Sequence, residues 1–248
     1  MKKVAVVVLA LAFLMVFAAV SPAFALTMTP PPYTMTTGRF VGGDYVVYMP
    51  TSTHQVTEYI VDNYGVTDKT FVIGVSMGGT IALNLAHKYP NLYSGVLDIV
   101  GAKDPFENYA YGQTWITKTV AELRAIFSIP ASVPDYLIAG LKVFFATVWA
   151  NMIEANGGTP EEKPKAYERR DPVFNADIEI PTISLVGAID MLVPLFSHLH
   201  YQAAIADAGR SDLYRLYIIS NGGHADAPVM DQVPTKLLEL IAWSDSLD

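Results

Sequence analysis

Phe71-Val72-Ile73-Gly74-Val75-Ser76-Met77-Gly78-Gly79-Thr80 is the stretch that decides the fold. A run of β-branched and apolar residues enters a Gly74-x-Ser76-x-Gly78 turn. Ile81, Ala82, Leu85, Ala86 and Tyr89 then continue at helical spacing. A strand leading through a tight turn into a helix is the context in which this motif becomes a nucleophile elbow, with the serine Oγ presented above a sheet. The turn crowds the backbone, so its flanking positions favour residues without a Cβ, and Gly74 and Gly78 meet that demand. A Walker-type phosphate loop would need Lys after its glycines, and none follows here. Ser76 is therefore the candidate nucleophile.

Outward from the elbow, Lys69–Val75 reads as its strand and Thr80–Tyr89 as its helix, closed by Pro90. His87 and Lys88 fall in the last helical turn, where positive charge complements the dipole, so His87 receives no catalytic role. Gly95–Val100 is the next strand. Residues 102–176 then interrupt the alternation with helical patterns over about Trp115–Phe127 and Asp135–Ala155 and a polar loop from Asn156, the composition of a helical cap. Tyr136–Ile153 is apolar apart from Lys142, Thr147 and Asn151. Lys142 and Asp135 favour a buried or lid helix over a membrane span. Its Phe144, Phe145, Val148 and Trp149 either line an apolar pocket or pack on the sheet. Alternation resumes with a strand over Thr182–Gly187, a helix over Ser197–Ala208, a strand over Leu213–Ile219 and a helix over Val229–Trp243. The pattern implies an α/β fold: a mainly parallel sheet with helices on both faces and a helical cap insertion.

Upstream, Lys2-Lys3, the uncharged run Val4–Val20 and Ser21-Pro-Ala-Phe-Ala25 read as an export signal over residues 1–25, cleaved after Ala25. The alternative is an anchor formed by residues 4–20. Residues 26–37, with Pro30-Pro31-Pro32, form an extended Pro/Thr-rich lead-in, and residues 38–248 form the α/β domain. A hairpin turns at Gly42-Gly43, and Ser52-x-x-Gln55 caps a helix that Gly65 ends.

The bulk properties narrow the function. Apolar content of 52% with 16% charge describes a globular chain with a substantial core. A net charge of −8 and no basic run exclude phosphate neutralisation on nucleic acid. Without cysteine there is neither a disulfide framework nor a lipidated cysteine, and a membrane enters only if the N-terminal signal stays uncleaved.

A serine hydroxyl needs an adjacent base, itself oriented by a carboxylate. Among the five histidines, His54 starts a helix, His87 ends one, and His198 and His200 share a third. His224 alone lies in a loop, Asn221-Gly-Gly-His-Ala-Asp226, directly after the last strand and at the same sheet edge as the elbow. Asp190, just past the strand Ile183–Gly187, is the candidate acid, with Asp98 and Asp104 as fallbacks. Asp226 lies too near His224 in sequence and reads as a helix cap. His198-x-His200 resembles a metal-site fragment, but residues two apart do not share a helical face and no matching carboxylates are evident. No metal and no cofactor are expected.

The order Ser76, Asp190, His224 on an alternating sheet resembles the α/β-hydrolase superfamily. From Thr53-His-Gln-Val-Thr-Glu-Tyr-Ile-Val-Asp-Asn-Tyr-Gly65 through the elbow, the chain looks like secreted esterases and prolyl-oligopeptidase-like hydrolases. The resemblance implies Ser76 as nucleophile, His224 as base and then acid, Asp190 as orienting carboxylate, and the Met77 N–H as an oxyanion donor. The chain departs from the pattern upstream. The fold places a strand and a His-Gly-type loop before the elbow to supply the second oxyanion N–H. No His-Gly pair occurs here, and Pro50–Thr53 is the junction where that unit would stand. The expectation is a secreted serine hydrolase acting on a small-molecule ester through an acyl-enzyme. A prolyl-oligopeptidase-like serine peptidase and a non-catalytic hydrolase-fold binding protein are the alternatives.

Overall fold

The computed structural model describes the backbone of Val4–Leu9, Tyr33–Phe40 and Gly43–Pro50, and residues 69–247 in full. Strands β1 (Val4–Leu9), β4 (Lys69–Val75), β5 (Gly95–Ile99), β6 (Thr182–Gly187) and β7 (Tyr214–Ile219) form one sheet in the order β1-β4-β5-β6-β7. Every pairing in it is parallel. Strands β2 (Tyr33–Phe40) and β3 (Gly43–Pro50) make an antiparallel hairpin, with Phe40 paired to Gly43, so Gly43 is a strand residue and not part of the turn. Strand β2 begins at Tyr33, inside the stretch read as a lead-in, because Tyr33–Thr37 pair with Val46–Pro50. The helix expected after Ser52 and the cleavage site at Ala25 fall outside the described residues. Val4–Leu9, inside the stretch read as an export signal, lies beside the elbow strand in the full chain, with Leu9 opposite Gly74.

A parallel sheet covered on both faces demands strands that are apolar on both sides, and β4 and β5 read that way. Val72 and Val96 face one layer with α1 (Met77–Lys88) and α6 (Leu195–Asp207), where Ala82, Leu83, Tyr201 and Ile205 are buried. Phe71, Ile73, Leu97 and Ile99 face the other layer against α7 (Ala227–Met230) and α8 (Val233–Asp245), through Val229, Leu240 and Trp243. One residue of register along each strand thus switches the side chain from one helical layer to the other.

Between β5 and β6 the chain builds the expected cap from α2 (Pro105–Thr117), α3 (Val120–Ile126), α4 (Asp135–Asn156) and α5 (Pro164–Glu168). It has its own small core of Trp115, Leu123, Ile138, Phe145 and Trp149. The single helix expected over about Trp115–Phe127 is instead two. Thr119 accepts from the Glu122 amide while Glu122 reaches back to the Thr119 amide, a complete capping box that starts a new helix. The closing helix also divides, at Asp231-Gln232, because Pro234 lacks the N–H of a helix interior and fits at the first turn of α8.

Candidate active site

Ser76 sits between β4 and α1 at φ 54 and ψ −125, a strained conformation for a residue with a Cβ. Such a conformation costs on the order of 1–3 kcal/mol and persists only where its surroundings over-determine it. Here the Ser76 N–H donates to the Ile99 carbonyl at 2.8 Å, and the Ser76 carbonyl accepts from Gly79 N at 2.9 Å. A Cβ on Gly74 would collide with the Gly78 carbonyl, so the first glycine of the motif is required by the turn folding back on its own strand. The Met77 N–H is the first amide of α1 and by position lacks an intrahelical acceptor.

His224 and Asp190 reach Ser76 from loops at the same edge. The Ser76 hydroxyl donates to His224 Nε2 at 2.8 Å, and His224 Nδ1–H donates to Asp190 Oδ2 at 2.8 Å. This chain of bonds fixes the imidazole tautomer, with the proton on Nδ1 and the lone pair toward the serine. The Asp190 side chain is fully buried, and its second oxygen accepts from the amides of Leu192 at 2.8 Å and Val193 at 3.0 Å. The end of β6 and the His224 loop approach so closely that a Cβ on Gly187 would strike the carbonyls of Gly222 and Gly223. Ile189 N donates to the Gly222 carbonyl at 3.0 Å, tying the acid loop to the histidine loop directly.

The fallback acids lie elsewhere. Asp98 is buried and paired with Lys103 Nζ at 2.5 Å, both side chains fully enclosed. Burial pushes the Lys103 ammonium below its ordinary range, opposed by Asp98 and, more weakly, by Asp190. Asp104 caps α2 by accepting from Glu107 N at 2.9 Å. Asp226 holds the N-cap position of α7 without a side-chain capping bond; its carboxylate turns back instead and accepts from Gly223 N at 2.8 Å. His87 stands 3.1 Å from Asp177, away from the site.

His198 and His200 diverge as their spacing implies. His198 is buried with neither ring nitrogen hydrogen-bonded among the described residues. Burial first, then Lys103 and His224, hold its pKa well below the usual histidine value. His200 stands 3.3 Å from Asp104 and 3.1 Å from Glu107. The expectation that no carboxylates accompany it is thereby corrected. The reason it failed is that Asp104 and Glu107 arrive from a helix more than ninety residues away in sequence.

Phe144, Phe145, Val148 and Trp149 do not line the cavity that opens beside Asp190. Phe145 and Trp149 are buried in the cap's own core, with Trp115 stacked on Phe145 at 5.5 Å. Sequence reasoning also missed Ser197, whose buried Oγ accepts from Lys103 N at 3.1 Å, Asp104 N at 3.2 Å and Asn108 Nδ2 at 3.0 Å. A serine in the first turn of a helix carries no signal for so distant a set of donors.

Residues 46–184, more than half of the chain, match the family model described as "Putative esterase". No curated protein matches the chain. Among solved structures, acylaminoacyl peptidase of Pyrococcus horikoshii superposes with a TM-score of 0.50 at 16% identity, over 75% of this chain and 25% of that one. An esterase from Pyrococcus furiosus superposes with a TM-score of 0.48 at 13% identity, over 82% and 69% of the respective chains. The chain therefore spans about a quarter of the peptidase's length, and the likeness is one of fold.

Proposed function

The chain belongs to the esterase family and has the α/β-hydrolase fold, and on that premise we propose that it is a serine hydrolase that cleaves carboxylic esters through an acyl-enzyme. The observation that carries the reading is the unbroken chain Ser76 Oγ, His224, Asp190, with 2.8 Å at each link. His224 takes the serine proton as Oγ attacks the ester carbonyl. The resulting imidazolium is stabilised by the buried Asp190 carboxylate and returns the proton to the leaving alkoxide. Water then attacks the Ser76 ester with His224 again as base. The Met77 N–H, at the N-terminus of α1, is the donor aimed at the developing oxyanion. Esters leave more readily than amides, so a site with few oxyanion donors suits them better. The fold-level likeness to acylaminoacyl peptidase supports amide cleavage as a second reading.

Lys2-Lys3, the apolar run that follows and the Ala23-Phe24-Ala25 site support export with loss of residues 1–25. The test of the catalytic reading is fluorophosphonate labelling of the purified protein beside its Ser76→Ala variant. Labelling that disappears in the variant is expected. A folded protein that stays unlabelled would leave a hydrolase-fold binding protein as the better description.

A further inference from the structure

Beneath the elbow lies an ion pair that the triad does not use. Asp98 follows Val96 by two residues on β5 and so faces the layer of α1 and α6. Lys103 lies in the loop that leaves β5 for the cap. Both side chains are fully buried, with Lys103 Nζ 2.5 Å from Asp98 Oδ2. Lysine is almost never enclosed in this way unless paired. A buried pair is seldom more stabilising than apolar residues of the same volume, so stability explains it poorly. What the pair holds explains it better.

The two side chains close on Gly101 from both sides. Asp98 Oδ1 accepts from the Gly101 N–H at 3.1 Å, and Lys103 Nζ donates to the Gly101 carbonyl at 2.8 Å. Both polar groups of one buried backbone residue are thus met by the pair. Gly101 in turn lies against the start of α1. A Cβ on Gly101 would strike Thr80 N and the Gly79 backbone, and a Cβ on Gly79 would strike the Asp98 carboxylate. Neither glycine has a positive φ, so close approach alone excludes a side chain at these positions.

The residues flanking Gly101 hold the nucleophile. The Ile99 carbonyl accepts from the Ser76 N–H at 2.8 Å, and the Ala102 carbonyl accepts from the Thr80 hydroxyl at 2.7 Å. Between them Val100 has φ 49, left-handed for a β-branched residue, and its N–H donates to the Leu185 carbonyl at 2.8 Å. Such a backbone persists only where its surroundings over-determine it. Ser76 and Val100, both strained, are joined through the Ser76–Ile99 bond, and the clamp on Gly101 is the next link in the chain. Burial opposes the charge of the Lys103 ammonium, and Asp98 and, more weakly, Asp190 support it. His198 on α6, held neutral by burial, adds none.

We propose that Asp98 and Lys103 are positioning residues for the nucleophile: together they pin Gly101, and through it the loop that holds Ser76 and the first turn of α1 in the reactive shape. This role rests on Ser76 being the nucleophile. The pair acts through the backbone, so its loss should lower kcat and leave KM nearly unchanged.

The full chain is compared with Lys103→Met and with Asp98→Asn/Lys103→Met. The double variant carries no unpaired buried charge and keeps an acceptor for the Gly101 amide, so it retains the fold if the single variant loses it. Measured are kcat and KM on p-nitrophenyl acetate, the shortest ester of its series, the rate of fluorophosphonate labelling, and amide exchange at Ser76 by NMR. In the double variant kcat and the labelling rate should fall on the order of 10²-fold. Ser76 exchange should quicken more than about tenfold while amides of the β6–β7 ladder keep their protection, a local loosening that a general loss of stability would not give. A folded double variant that labels and turns over at the parent's rate overturns the positioning role and leaves the nucleophile intact, as does a loss confined to KM. A double variant that does not fold overturns it too, since the pair would then be a requirement of the core. In a parent that never reacts with the fluorophosphonate, quicker Ser76 exchange in the variant would retain the clamp and overturn the hydrolase reading. Unchanged exchange there would overturn both.

Discussion

Asp190 meets three donors with two oxygens, and that arrangement decides how the histidine is held. Leu192 and Val193 lock one oxygen, and His224 alone addresses the other. Asp190→Asn keeps the size but puts an amide where a carboxylate accepted, and favours the other imidazole tautomer. Turnover of the shortest ester should fall by up to about 10⁴ with the fold retained, read by steady-state kinetics beside circular dichroism. Near-normal turnover would remove Asp190 from the triad. A second buried carboxylate, Asp171, carries a different prediction. Its Oδ1 accepts from Val173 N at 2.8 Å, and its Oδ2 has no hydrogen-bond donor among the described residues. Burial, reinforced by Asp104 and opposed by the backbone donors, pushes its pKa up to about 7. The folded state thus holds a proton that the unfolded chain releases near its ordinary value of 3.8. The resulting stability is fully present below that value and is lost as pH rises through about 7. The unfolding free energy from urea titrations should fall across that window, by on the order of 4 kcal/mol at most, and Asp171→Asn should flatten the slope. An unchanged slope in the variant would assign the pH dependence to other groups.

At the scale of elements, the cap is anchored to the sheet where α6 begins. Ser197 gathers the Lys103 and Asp104 amides and the Asn108 side chain, so the loop leaving β5, the start of α2 and α6 share one hydroxyl. Ser197→Ala should cost on the order of 2–4 kcal/mol, because buried donors are left without an acceptor. A thermal melt checks this; a variant as stable as the parent would deny the anchor. The strands and elbow were legible because each is a local apolar run ended by glycine, proline or a polar turn. The α2–α3 break was harder to see, since the capping box Thr119-x-x-Glu122 lies inside an otherwise continuous helical pattern. The roles of Phe145 and Trp149 were hidden for another reason. Periodicity reveals that a face is apolar, but not whether a pocket or Trp115 faces it.

For the whole molecule, the N-terminal segment is the open element. In the full chain Val4–Leu9 pairs with β4 and ends opposite Gly74, at the edge where Ser76 emerges. Export with cleavage after Ala25 would remove that strand and leave β4 at the edge of the sheet. The export reading predicts an intact mass beginning at Leu26 for protein recovered from outside the cytoplasm. A mass that includes Met1 or Lys2 would instead retain β1 or an anchor. Comparing fluorophosphonate labelling of residues 1–248 and 26–248 would then measure what the strand contributes to the site.

The sequence by itself determined the α/β alternation and the elbow, which are written in local apolar period and turn chemistry, and it offered Ser76, His224 and Asp190 as candidates with Asp98 and Asp104 as rival acids. Only the tertiary structure decided that those side chains meet at hydrogen-bonding distance, and that Asp98 turns inward to Lys103 instead of toward His224. It alone brought Asp104 and Glu107 to His200, and opened a groove beside Asp190. These are contacts between residues far apart in the chain. Their geometry is set by how helices and strands pack, and no local pattern encodes it.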